Sequence, residues 1–144
     1  MNRSKTKIGD REYEDMGDEL PETRCIGYFL GWVRFVEECE RGYDAGMEEY
    51  FNDLHWRSSL ERQLEKIPDS NFKTAILIFT KSIDENFKKL LVENETQVQG
   101  WVTNKDKENH WWCWGIVKNA KGLLKQDLEE RAEDIKYYKT KKLS

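Results

Sequence analysis

From Phe72 to Leu90 the large apolar residues fall at Phe72, Ile76, Phe79, Ile83, Phe87 and Leu90. These intervals of three and four place side chains on one face of an α-helix. Asp69 or Ser70 stands where a cap is needed, and the helix reaches about Val92. Asp84 precedes Lys88, and Glu85 precedes Lys89, by one helical turn, in the favourable order for ion pairs along an outer face. A second helix is expected upstream, from Met47 to Ile67, with Met47, Tyr50, Phe51, Leu54, Leu60, Leu64 and Ile67 on one side. Pro68 stops it, because the residue before a proline is pushed out of the helical region. His55, Trp56, Ser58 and Ser59 interrupt its stripe, so the pattern allows a bend there. The short Pro68–Asp69–Ser70 connection sets these two helices antiparallel.

Before them, Thr23 is a suitable N-cap for a helix running to about Arg41. Ile26, Phe29, Leu30, Val33 and Val36 form its stripe, and Tyr28, Trp32, Phe35 and Cys39 widen it. With Arg34 and the terminal glutamates as its main charges, this helix is expected to be largely buried. Its aromatic and β-branched residues, with Gly27 and Gly31, would also suit a strand; the stripe spacing decides for helix. Gly27 and Gly31 are four apart, as in closely packed helix pairs. Gly42 and Gly46 bracket a turn containing Asp44.

Residues 93–118 change character. Gln97–Thr103 reads as a short strand, Asn104–His110 as a polar turn and Trp111–Val117 as a second apolar run. A small β-hairpin fits, and so does an aromatic loop packed across the helices. If Trp112 and Trp114 point inward along a strand, Trp111 points outward with Cys113. A last helix, interrupted by Gly122, carries Leu123, Leu124, Leu128, Ala132 and Ile135. The resulting fold class is mostly α: about four helices in a bundle, with a hairpin or aromatic loop before the last. Residues 1–22 form a polar acidic arm, either disordered or laid over the core through Tyr13, Met16 and Leu20. Residues 23–138 form the helical domain, and 139–144 a basic tail.

Composition supports a folded core despite a lean apolar fraction. Hydrophobic residues are 38% and charged ones 36%, but six Trp, six Tyr and six Phe bury large areas each. The net charge of −4 is unevenly spread: from Asp10 to Asp53 fourteen acidic residues face four arginines, a net of −10. That stretch is a poor nucleic-acid surface and a suitable one for a basic protein, or simply a solvated face. Three cysteines at unrelated spacings do not make a disulfide scaffold. The N-terminus has no apolar run after its basic residues, and the apolar stretch Cys25–Val33 is too short to span a bilayer. A cytoplasmic protein with reduced thiols and no membrane association is the expectation.

Candidate chemistry is sparse. His110 and Cys113 are three apart, but a structural zinc site usually needs a second such pair. Cys113 with His55 or His110 and Asp106 lacks any local nucleophile context. Glu37–Glu38–Glu40 and Glu129–Glu130 accompany no inward histidine, and no glycine-rich phosphate loop is present. No metal, cofactor or catalytic set is expected, and the chain reads as non-enzymatic.

The profile (small, acidic, helical, aromatic-rich, without a catalytic set) is similar in general character to bacterial immunity proteins that neutralise a cognate toxin. That likeness implies a protein partner with a basic surface. Glu37, Glu38, Glu40, Asp44, Glu48, Glu49 and Asp53 would steer it, with Trp101 or Trp111 as anchor. The alternative is a nucleic-acid-associated or regulatory accessory factor using the Trp-rich segment and basic tail. Nucleic acid is the less favoured partner, because Asp106 and Glu108 nearly cancel the lysines near those tryptophans.

Overall fold

The computed structural model describes residues 20–93 and 108–130. The fold is mostly helical, with a two-stranded antiparallel sheet before the last helix. Helix α1 spans Pro21–Arg41, α2 Met47–Glu65 and α3 Asn71–Leu90; strand β1 is Leu91–Glu93, a 3-10 turn covers Trp111–Cys113, β2 is Gly115–Val117 and α4 is Gly122–Glu130. The arm contacts expected from Tyr13 and Met16, the strand at 97–103 with Trp101, and Ala132, Ile135 and the basic tail lie outside the described residues. None of the described helices is long and apolar enough to cross a membrane.

Helix α1 starts earlier than Thr23. Pro21 occupies its first turn, where a fixed φ is pre-organised for the helix and a missing N–H costs nothing. The Leu20 carbonyl accepts from the Thr23 and Arg24 amides at 3.0 and 3.2 Å. The helix is also rotated from the expected stripe. Cys25, Trp32, Phe35, Val36 and Cys39 face the core, whereas Ile26 and Leu30 are 43% and 49% exposed. Both sets have helical spacing; the one holding Trp32 and Phe35 removes more apolar area from water.

Helix α2 runs unbroken through the positions where a bend was allowed. Of the residues that interrupt its stripe, His55 is exposed, Trp56 and Ser59 are half-buried, and Ser58 is buried and bonded to Trp112; their neighbour Arg57 is buried and bonded to Asp84. Ser70 caps α3, its hydroxyl accepting from the Lys73 amide at 3.1 Å. In α3, Ile76 and Phe87 are buried as expected, but Phe79 is 55% exposed and Asp84 only 8%. Asp84 therefore does not pair outward with Lys88. It turns inward to an arginine on α2, and Lys88 lies 3.9 Å from Glu85 and over the Trp111 ring. Phe29 meets Phe79, while Trp32 meets Phe87 and hydrogen-bonds Asp84. Helices α1 and α3 thus run parallel, with α2 antiparallel to both.

Two clusters make the core. The larger centres on Trp32, Phe35, Tyr50, Phe87, Trp112 and Leu124, and the smaller on Cys25, Leu60, Leu64, Ile67 and Ile76. Phe35 joins rings from three elements, with centroids 5.4 Å from Tyr43, 5.5 Å from Tyr50 and 5.6 Å from Phe87. Of the two helix glycines, Gly31 permits a close approach: a methyl group there would overlap the indole of Trp56. Gly27 has nothing within 4 Å, so only one of the pair serves helix packing.

A small antiparallel hairpin precedes the last helix, as expected, and its first described strand directly follows α3. Val117 pairs with Leu91, Ile116 with Val92 and Gly115 with Glu93, so β2 lies against the end of α3. The Trp run begins as a 3-10 turn, not a strand, and alternation does not apply to it. Trp112 and Cys113 are both buried, with Trp111 and Trp114 half-buried. Gly122 opens α4 and does not interrupt it. Its φ of +50° is a left-handed conformation that glycine adopts cheaply.

Candidate functional site

Seven carboxylates were singled out from the sequence, and the fold gathers them at one turn. Glu37, Glu38 and Glu40 end α1, Asp44 lies in the connection, and Glu48, Glu49 and Asp53 begin α2. All except Asp53 are exposed. The turn is tied to Lys121 and to α4, which follows it. The Lys121 amide donates to the Tyr43 carbonyl at 2.8 Å and the Leu123 amide to the Asp44 carbonyl at 3.0 Å. Asp127, also on α4, accepts from the Met47 amide at 2.9 Å, supplying the cap that Gly46 cannot. Lys121 donates to the Arg41 carbonyl at 3.2 Å and brings a cation to the edge of the acidic turn.

Asp53 is different in kind. It is half-buried, and the Tyr43 hydroxyl donates to its Oδ2 at 2.7 Å. Burial pushes its pKa up; hydrogen bonds from Tyr43 and Trp56 pull the other way, and Glu49 adds to the rise. The Tyr43 hydroxyl is itself pushed up by burial and by this carboxylate. Asp53 borders a cavity of about 570 Å³ between α1 and α2, walled by Tyr28 and Trp56, whose rings lie 6.4 Å apart at 49°.

Of the aromatic half of the expected site, Trp111 does not join this turn. Trp101 lies outside the described residues. Trp111 packs on the α3 side, 6.1 Å from Phe87 and 5.7 Å from Trp112, with the Lys88 ammonium 4.7 Å from its ring centre. Trp112 is buried and donates from Nε1 to Ser58 Oγ at 2.9 Å. Its ring carries the Arg57 guanidinium at 4.5 Å.

That arginine belongs to a polar hub that the sequence pattern concealed. Arg57 donates from Nε and Nη2 to the two oxygens of Asp84, each at 2.9 Å, and from Nη1 to Glu61 at 2.7 Å. Trp32 Nε1 adds a third donor to Asp84 at 3.0 Å. Burial works against the Arg57 charge, but its bonds to Asp84 and Glu61 outweigh this and raise its pKa. Helices α1, α2, α3 and the 3-10 turn are thereby tied at one point. The signal in the sequence was the break in the α2 stripe around Ser58, beside which Arg57 stands.

The cysteines are packed as small hydrophobes. Burial raises the pKa of Cys25 and of Cys39, with neighbouring carboxylates adding to both, so these thiols stay protonated at neutral pH. Cys113 is fully buried, and His110 lies against Trp112 with centroids 5.5 Å apart. Among the described residues no three His, Cys, Asp or Glu side chains converge as a metal site would require. Comparison with known protein families, with curated proteins and with solved structures finds no match.

Proposed function

We propose that this chain is a non-enzymatic protein-binding protein that offers the acidic α1–α2 turn to a basic surface of another protein, in the manner of an immunity-type inhibitor of a cognate toxin. The observation that carries this reading is the state of six carboxylates. Glu37, Glu38, Glu40, Asp44, Glu48 and Glu49 are exposed on one turn, and among the described residues none is in an ion pair. Like charges on one turn repel one another, and Arg41 and Lys121 beside them offset only part of that charge. A cationic partner relieves it and is drawn in faster at low salt. Trp101 and the exposed part of Trp111 serve in this reading as further aromatic contacts.

The test is affinity capture of the tagged chain from its native cells at moderate salt, beside a variant with Glu37, Glu38, Glu40, Glu48 and Glu49 all changed to lysine. A stoichiometric protein held by the wild type and lost by the variant supports the reading. A partner held equally by both, or nucleic acid alone in the eluate, overturns it.

A further inference from the structure

The groove beside the acidic turn has the make-up of a receptor for one particular side chain. Its floor is the Trp56 indole, laid so closely over Gly31 that no side chain fits between them. A ring fixed on one face by backbone is an immobile platform for whatever stacks on its exposed side. Tyr28 stands across from it, tilted by 49° with its centroid 6.4 Å away, and the cavity between and beside them is about 570 Å³. That is room for a whole side chain with its flanking backbone.

At one end of this cavity sits Asp53. Its donors, Tyr43 and Trp56, are both neutral, and no cation lies within ion-pair distance among the described residues. A carboxylate has roughly four acceptor positions, so two donors leave part of it open. Half-burial without a countercharge is costly, and the upward pKa shift of this group has the same cause. Arg62 lies nine residues further along α2, on the order of 13 Å by helical rise, and is held to Ser59 Oγ at 3.2 Å. The cavity is therefore acidic at one end, basic at the other and aromatic between.

We propose that the groove receives an arginine side chain of the partner protein, its guanidinium stacked against Trp56 and Tyr28 and hydrogen-bonded to Asp53. This deepens, and rests on, the reading of the chain as a binder of a basic protein. Arginine fits better than lysine for two reasons. Its flat, weakly hydrated cation stacks on an indole face, and its paired N–H groups match a carboxylate. Asn52 at the rim is an uncharged amide and does not oppose it.

The experiment is an NMR titration of the ¹⁵N-labelled full chain with Nα-acetyl-arginine amide, and in parallel with Nα-acetyl-citrulline amide, the uncharged analogue of nearly the same shape. Trp56→Phe identifies the Trp56 indole resonance. The expected result is a saturable shift of that resonance with arginine, and binding of citrulline weaker by about tenfold or more, the worth of a charge-assisted contact. Asp53→Asn should weaken arginine binding by a similar factor while the buried Trp32 and Trp112 resonances stay in place and report an intact fold. Tyr28→Ala, at the opposite wall, should weaken it as well. Equal binding of the two probes, no movement of Trp56, or an unaffected Asp53→Asn variant overturns the proposal. The five-glutamate variant leaves Asp53 untouched, so a partner lost on that reversal beside an inert groove would sink this inference alone.

Discussion

Changing Asp84 to leucine leaves the Arg57 guanidinium in the interior with two of its donors unmatched. Both residues are more than nine-tenths buried, so water cannot replace the lost partner. The substitution removes three hydrogen bonds to Asp84: two from Arg57 at 2.9 Å and one from Trp32 at 3.0 Å. Arg57 keeps only Glu61, whose side chain is 44% exposed and contributes little once solvent screens it. A buried ion pair broken on one side typically costs about 3–5 kcal/mol, roughly a fifth or more of the stability of an ordinary domain. Arg57→Met, which strands the Asp84 carboxylate with one indole donor, should cost a similar amount.

The double variant Arg57→Met/Asp84→Leu leaves no charge behind, and methionine can still lie against Trp112. Its loss should fall short of the sum of the two single losses by about 3 kcal/mol or more. Urea unfolding followed by tryptophan fluorescence measures all four corners of this cycle. If Asp84→Leu costs less than about 1 kcal/mol, or if the two losses simply add, the hub is not the structural tie that its geometry implies.

Three further outcomes follow from single contacts. Gly31→Ala should destabilise by about 1–3 kcal/mol through overlap with Trp56, whereas Gly27→Ala, with open space over its Cα, should stabilise by up to about 1 kcal/mol; thermal unfolding reads both, and equal signs would contradict the packing described. Asp127→Ala should cost about 1 kcal/mol and speed amide exchange at Met47, whose N–H loses its acceptor; unchanged exchange there would refute the capping role. Asp53, with a folded-state pKa raised above 3.8, binds its proton more tightly folded than unfolded, so its burial cost is present at neutral pH and is relieved as pH falls through the raised value toward 3.8. Urea midpoints of Asp53→Asn against wild type should therefore shift in favour of the wild type between pH 7 and pH 4, and a pH-independent difference would show the carboxylate to be unperturbed.

The helices of this fold were legible because their apolar spacing is regular and their ends carry strong local signals: Pro68 after α2, Ser70 before α3, Gly42 after α1. The strand pairing was not, because Leu91–Glu93 looks like the frayed end of a helix. Only its contact with Gly115–Val117, more than twenty residues away, makes it a strand. The rotation of α1 was ambiguous for a related reason. Two overlapping stripes satisfied the same periodicity, and the packing of Phe35 among Tyr43, Tyr50 and Phe87 selects between them.

The candidate site divides along the same line. Six exposed carboxylates close in sequence are also close in space, since one short turn joins their helices, and sequence alone finds them. Asp53 and Asp84 are chemically identical to them in the sequence and different in the fold. An i, i+4 lysine suggested that Asp84 was an outer-face residue, yet the residue that decides its fate is Arg57, twenty-seven positions away. A carboxylate's environment is set by what the rest of the chain folds against it. On that ground the two inward-turned aspartates differ: Asp84, matched by three donors of which two belong to a guanidinium, ties the helices together, while Asp53 is matched only by neutral donors and borders an aromatic groove.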